Sequence, residues 1–471
     1  VDKVAQLAMQ KGLQLGGLTI GDCIDLAREL GTTVGEVVLA EAMAVNKMSR
    51  EQVASAVMDS FCHNLYAMEI GLSAGSSFLM GTLGKELADG DIALSGDPFV
   101  DKALRYTLAA QVGNHSVGLQ PCAGTGDSCT FTGLMKTLTD TVEDKDKLAR
   151  LTAIMLKIGG IFRVGKTTTG CNMEGFGAGA AATAAVVAEM IGGTPDQVGK
   201  AIVLALSPTI GNPCTPRVMV AGLCSTHLGG GVAIGCLAAN LAVKTSIPVT
   251  VPPDVMIAMA AAVHPVSAKH IVPVVIHYME PFFKTHEGVE EYISAEIKAK
   301  EAARIEETVA AAKLEARALA ARANSIIKPF GEAVVGGSSQ AVGSPTNAAR
   351  IAHALAQGEI TGVKIELYPE LFARRGINVP GILMAAVYGA GTDNAQLYRA
   401  VIDRVRQAKL RVSIEEVDEP QMQRITVFAS GQNSMVASLN RGGARLVLKD
   451  ASPSLEAARQ AANKLNIELV D

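Results

Sequence analysis

The sequence predicts a multi-domain protein of mixed α and α/β class. A mainly all-α domain spans 1–286, a helical linker follows over 287–327, and a small α/β domain occupies 328–471. Three observations carry this expectation. A chain of 471 residues is long for a single core. Through its first part apolar residues recur at three and four, punctuated by glycine-bearing turns. In its last part strand-like and helical segments alternate.

Taken in order, "TIGDCIDLAREL", "TVGEVVLAEAMAV" and "SREQVASAVMDSFCHNLYAMEIGL" read as helices between about 18 and 70, and Ser49 with Gln52 forms a capping-box pattern. Residues 73–97 are glycine-rich and irregular, and from 98 to about 280 helices alternate with turns such as "GTGDSC", "GGTPDQ", "GNPCTP" and "HLGGG". The window "GFGAGAAATAAVVAEMIGG" (175–193) is the most membrane-like stretch. It carries Glu189 and is glycine and alanine rather than leucine and phenylalanine, so it reads as a buried core helix. Residues 287–323 are rich in alanine, glutamate, lysine and arginine, and predict one long helix solvated on one face. Beyond it, "GVKIELY", "RVSIEEV", "QRITVFAS" and "ARLVLKD" read as strands. They interleave with helical "TNAARIAHALAQ", "TDNAQLYRAVIDRVRQAK" and "SLEAARQAANKLN".

Composition excludes some classes of function. With 42 basic against 46 acidic residues and no basic stripe, a nucleic-acid partner is not expected. The opening "VDKVAQLAMQKG" shows neither a charged leader nor a cleavage-like site, so the expectation is a cytoplasmic protein without a membrane partner. In that reducing compartment the 8 cysteines are explained by burial, catalysis or metal ligation rather than by disulfides.

Three segments place cysteine beside glycine or proline: "PCAGTGDSC" (121–129), "TGCNMEG" (169–175) and "GNPCTPRVMVAGLCSTH" (211–227). Taken singly, each thiol reads as a small buried hydrophobe. No C-x-x-C pair occurs, so the spacing is not that of a zinc knuckle. Cys23, Cys62 and Cys236 lie in helical patterns, where core packing is expected.

The order of motifs is more telling. G-C-N-M-E-G at 170–175 is followed by "AEMIGGTPDQ", then by C-T-P at 214–216 and a further cysteine at Cys224. This resembles the α chain of iron-sulfur L-serine dehydratases, with their G-C-Q-x-E glycine/alanine helix, their L-G-G-T-P and C-D-P motifs and a cysteine about a dozen residues on. "GLQPCAGTGDSCTFTGLMKTL" (118–138) is similar to their A-P-T-A-G segment, and "SIPVTVPPDVMIAM" (246–259) to their S-x-x-I-P-x-D-x-V-I-x-A-M ending. "TVGEVVLAEAMAV" resembles their N-terminal helix, and "PFGEAVVGGSSQAVGSPTNAARIAHALA" (329–356) the start of their β chain.

The resemblance implies that Cys171, Cys214 and Cys224 ligate a [4Fe-4S] cluster whose fourth iron stays open for substrate. It implies a β-elimination, the departing hydroxide being stabilised by a Lewis acid. The substrate would be a small α-amino or α-hydroxy acid. Gly124, Thr125, Gly126, Asp127 and Ser128 match the substrate-facing turn, the alternative for Asp127 and Ser128 being an N-cap. Glu174 matches the glutamate of the G-C-Q-x-E pattern and is expected to support cluster or substrate. Arg163 and Lys166 stand where the serine enzymes carry serine and glycine. They read either as a solvated pair or as a carboxylate anchor (Arg163) and a desolvated base (Lys166). His227 stands in place of a charged E-R-N run, and is either a satisfied core residue or an acid/base.

This chain also departs from the family. It has Thr215 where the family has the C-D-P aspartate, no histidine matching S-S-S-H-T of the β chain, and its domains run α then β. The two extra cations suit a more anionic substrate than serine. Alternatives are a desulfidase-type lyase acting on L-cysteine, and a non-catalytic iron-sulfur sensor or structural protein. A homodimer is expected.

Overall fold

The computed structural model describes residues 2–90, 92–119, 127–164, 177–212, 219–323, 327, 332–336 and 339–470. Two compact units divide the chain, 1–316 and 317–471.

The first unit is helical: α1 (Asp2–Gln10), α2 (Ile20–Leu30), α3 (Val34–Asn46), α4 (Arg50–Ala74), α5 (Leu83–Ala88), α6 (Pro98–Asn114), α7 (Asp127–Thr141), α8 (Lys145–Val164), α9 (Gly179–Met190), α10 (Pro195–Leu206), α11 (Leu223–Lys244), α12 (Pro253–Met279), α13 (Glu287–Glu290) and α14 (Ala295–Arg322). Local chemistry sets several starts. Thr19 with Asp22, Ser49 with Gln52 and Thr194 with Gln197 each form a reciprocal capping box that satisfies otherwise orphaned amides. The expected long helix begins at Ala295 rather than at 287. The chain is helical over the short α13, turns over 291–294, and starts again where Ser294 Oγ accepts the amide of Ile297.

At the centre of the unit lies α9, every residue of which from Gly179 to Glu189 is buried. The 175–193 window is therefore a core helix where it is described. Its small residues let neighbours approach to backbone contact, since a Cβ on Gly235 of α11 would sit 2.7 Å from the Ala180 oxygen. The same device joins α4 to α6. A Cβ on Gly71 would lie 2.0 Å from the Ala109 oxygen, and one on Gly113 1.8 Å from that of Ala67. Two helices have the length and composition of a membrane span, α11 and the stretch Pro253–Phe282; half of the most apolar window of the first is buried, and 28 % of that of the second.

Two carboxylates sit inside this apolar bundle. Glu41 on α3 accepts the amides of Gly16 (2.9 Å) and Leu18 (3.2 Å) on Oε1, and the Lys157 ammonium (2.8 Å) on Oε2. Glu189 closes α9 against the N-terminus of α3, where its Oε2 accepts the Gly35 amide at 2.9 Å. Burial pushes the Glu189 carboxyl above its usual range.

In the second unit, a five-stranded sheet of order β2-β1-β3-β4-β5 is built from β1 (Ile360–Leu367), β2 (Arg411–Glu416), β3 (Met422–Ala429), β4 (Ser434–Asn440) and β5 (Leu446–Ser452). β1 and β2 are parallel and the other pairs antiparallel. The helices are α15 (Ser339–Leu355), α16 (Pro369–Ala373), α17 (Arg375–Tyr388), α18 (Ala395–Gln407) and α19 (Leu455–Lys464). Inward residues of β1, β3 and β4 join α15, α17, α18 and α19 in one core. The polar run after 339 serves this unit internally. Gln423 donates to Ser344 Oγ (2.8 Å) and Ser438 Oγ (3.1 Å), and Asn347 donates to the Ala444 oxygen (2.9 Å).

Candidate active site

The described helix ends beside the cysteine segments converge. A Cβ on Gly177, just before α9, would meet Leu206 and Thr209 at the end of α10 (each 3.7 Å) and Phe162 at the end of α8 (3.9 Å). One on Gly179 would meet Thr130, in the first turn of α7, at 3.1 Å. Ser267 of α12 donates to the Gly211 oxygen beyond α10 at 2.8 Å. The end of α8, the approach to α9, the end of α10 and the start of α7 thus pack on one another.

Of the expected site residues, the structure brings Cys224, His227 and Ser128 into this region. Cys224 is 2 % exposed in the first turn of α11, and His227, one turn further on, is also buried. Ser128 is buried in the first turn of α7, and its Oγ has no hydrogen-bond partner among the described residues. Asp127 opens α7 and Arg163 lies in the last turn of α8, which fixes their backbones; their side chains lie outside the described residues. Gly124, Thr125, Gly126, Lys166, Cys171, Glu174 and Cys214 also lie outside them, as does Cys122. Cys23 and Cys236 are core thiols whose pKa burial pushes up to about 12. Cys62, by contrast, is exposed on α4: the helical reading was right, but the residue faces outward.

Two functional groups escaped the sequence reading. Gln111 and His115 share a face at the C-terminal end of α6. Gln111 is 3 % exposed and reaches Cys129, Cys224 and His115 at once. His115 Nδ1 meets Ser77 Oγ at 3.1 Å, and burial holds the imidazole below its usual pKa, favouring the neutral ring. A glutamine set in the apolar run "LAAQVG" is the signal that could have flagged it. Its partners on α7 and α11 are remote in sequence.

The donor chemistry around Cys224 suits an inorganic group held by thiolate. Its sulfur accepts an amide hydrogen, lies out of water, and shares the region with a buried hydroxyl that has no partner among the described residues. Among the described residues no group of three or more His, Cys, Asp or Glu side chains is placed to hold a metal ion. Among the described residues, two clefts of the first unit lie away from Cys224. One of about 460 Å³ is lined by Thr19, Lys157, Ile161, Asp254 and Ile257, and one of about 590 Å³ by Asp25, Arg28, Asp196 and Lys200 among others.

No family model matches the chain. Over 244 residues it is 26 % identical to the probable L-serine dehydratase, alpha chain, of Bacillus subtilis (strain 168), an alignment covering 47 % of this chain and 78 % of that protein. The chain is distantly similar to an L-serine dehydratase alpha chain, and this likeness points to a lyase of that kind.

Proposed function

We propose that the chain is an iron-sulfur-dependent lyase that removes the elements of water from a small α-amino or α-hydroxy acid. The observation that carries the reading is the buried Cys224 sulfur, which accepts the Gln111 amide, in a chain distantly similar to an L-serine dehydratase alpha chain. Cys171, Cys214 and Cys224 would hold a [4Fe-4S] cluster. When bound, that group supplies a Lewis acid for the departing hydroxide. Arg163 binds the substrate carboxylate, and the turn from Gly124 to Ser128 and Glu174 hold its remaining polar groups. Lys166 or His227 takes the proton from the α-carbon as the β-hydroxyl leaves. With an amino acid, the enamine so released tautomerises and hydrolyses in water to a keto acid and ammonia. His227 is buried, out of contact with bulk water. In this reading the protein is a cytoplasmic homodimer with a small-molecule substrate and neither nucleic-acid nor membrane partner.

The test is anaerobic reconstitution of the full chain, with iron and sulfide counted and spectra recorded with L-serine, L-cysteine and β-hydroxy diacids. The expected result is about four irons per chain, lost in Cys171→Ser, Cys214→Ser and Cys224→Ser, with a keto acid formed from one panel member. Sulfide release from L-cysteine alone would move the assignment to a desulfidase. A full cluster indifferent to every ligand would move it to a sensor, and absence of iron would refute it.

A further inference from the structure

We infer that Gln111 is a positioning residue that presents the Cys224 sulfur as a hydrogen-bond acceptor toward the metal group, while holding Cys129 out of the ligand set. The inference rests on the function proposed above, and deepens it by giving a physical reason why Cys224, and not its neighbour Cys129, serves as the ligand.

The argument begins with the orientation of one amide. Three atoms surround the Gln111 head group: Cys129 Sγ lies 2.8 Å from Oε1, His115 Nε2 lies 2.8 Å from Nε2, and Cys224 Sγ lies 3.6 Å from Nε2. Sulfur is large, so an N–H donor approaches it at the longer of these distances. The Cys129 S–H is donated to the amide oxygen, the acceptor end of the head group. The amide is therefore oriented with Oε1 on Cys129 and its NH₂ group toward Cys224 and His115. The inventory then closes. The two hydrogens of Nε2 serve Cys224 and His115, and Oε1 accepts the Cys129 S–H.

Each assignment constrains the next. Nε2 of the amide can only donate, so His115 Nε2 accepts and the ring proton sits on Nδ1. That proton is donated to Ser77 Oγ at 3.1 Å, which also accepts the Met80 amide at 3.0 Å. Cys129 spends its hydrogen on Oε1 and so stays a thiol. Cys224 receives a hydrogen, which favours the electron-rich sulfur that binds iron. Gln111 thus distinguishes a donor thiol from an acceptor sulfur.

The fold holds the amide in place. Gln111 lies in the last turn of α6 and His115, four residues on, caps its end in helical conformation, so they share one face. Gly113 lies between them and brings α6 to backbone contact with α4 at Ala67, while Gly71 of α4 does the same at Ala109. With the α6 backbone meshed in this way and the side chain buried, the amide has little room to turn. An N–H aimed at a ligand sulfur spreads the charge of the ligated group. It favours the more negative state and slows loss of metal.

The test uses the full chain, reconstituted anaerobically, with Gln111→Met, Gln111→Glu and Cys129→Ala. Met keeps the shape without the donors; Glu also keeps an oxygen on Cys129, and carries the comparison should Gln111→Met fail to fold. Iron and sulfide per chain, the rate of iron loss to a ferrous chelator, and the reduction midpoint are measured. The expected result is that both Gln111 variants load the cluster, lose iron about 10-fold faster and show a midpoint shifted to lower potential. Cys129→Ala, which leaves both donors in place, should match the wild type in rate and midpoint. A loaded Gln111→Met or Gln111→Glu protein with unchanged rate and midpoint overturns the inference alone. A Cys129→Ala protein that loses iron as the Gln111 variants do also overturns it, because Cys129 would then act as a ligand. A wild type without iron overturns the proposed function and this inference with it.

Discussion

Glu41 offers a direct measure of what a buried ion pair contributes to this fold, because its two oxygens have separate tasks. Oε1 receives the Gly16 and Leu18 amides and Oε2 receives Lys157. Glu41→Gln can keep the first task and replace the second with an amide NH₂ pressed against an ammonium. Breaking a buried pair from one side costs about 3–5 kcal/mol. The Glu41 side chain is 6 % exposed and that of Lys157 15 %, and Lys157 borders the cleft beside Thr19, from which water can partly resolvate it. We therefore expect about 2–3 kcal/mol for Glu41→Gln. The double variant Glu41→Gln with Lys157→Met leaves no charge buried and should cost only about 1 kcal/mol. Urea unfolding followed by far-UV circular dichroism reads both, together with hydrogen exchange of the 14–20 and α3 amides. A Glu41→Gln cost below about 0.5 kcal/mol, as for an exposed pair, or strict additivity in the double variant, would refute the reasoning.

Four further outcomes follow from the same geometry. Gly113→Ala drives a methyl to 1.8 Å from the Ala67 oxygen and should cost about 3 kcal/mol. Gly160→Ala, on the exposed side of α8 with nothing within 4 Å, should gain about 0.5–1 kcal/mol in the same urea assay. Burial raises the folded pKa of Glu189 above its unfolded value of 4.5, so its contribution to stability is full below that value and is lost as pH rises through the folded one. The stability of the wild type relative to Glu189→Gln should accordingly fall between acid and pH about 8; a constant difference in urea melts across that range would contradict it. Among the described cysteines, exposed Cys62 should react with an aromatic disulfide reagent in the native state, whereas buried Cys23 and Cys236 should react only on unfolding, as peptide mapping would show.

What the sequence made legible was local. The Ser49–Gln52 box, the buried character of the 179–189 helix and the α/β texture after 328 follow from spacing and residue type, and the structure has them. Strand β4 was missed because "SMVASLN" mixes serine and alanine into its alternation, and its burial comes from neighbours on both sides. Helix α17 was missed because Pro380 and Gly381 break its pattern, yet its C-terminal half is buried in the core. At the site, Cys224 was marked by its motif. Gln111 was not, since its importance lies in what α7 and α11 bring to it. The one-sided exposure of Cys62 was likewise invisible, because apolar periodicity on α4 is weak.

Gly71 meets the Ala109 backbone and Gly113 that of Ala67, while Gly235 meets the Ala180 oxygen and the β-branched Thr183 side chain, so little between those helices can yield. Where leucines interdigitate, a shift of one helix is absorbed by rotamer changes. Here the main chains mesh like gears without clearance, and any displacement of α11 is passed on to α9. Such a scaffold has low compressibility. The spacing between helix ends around Cys224 should hold nearly constant on warming, until the bundle gives way as a unit.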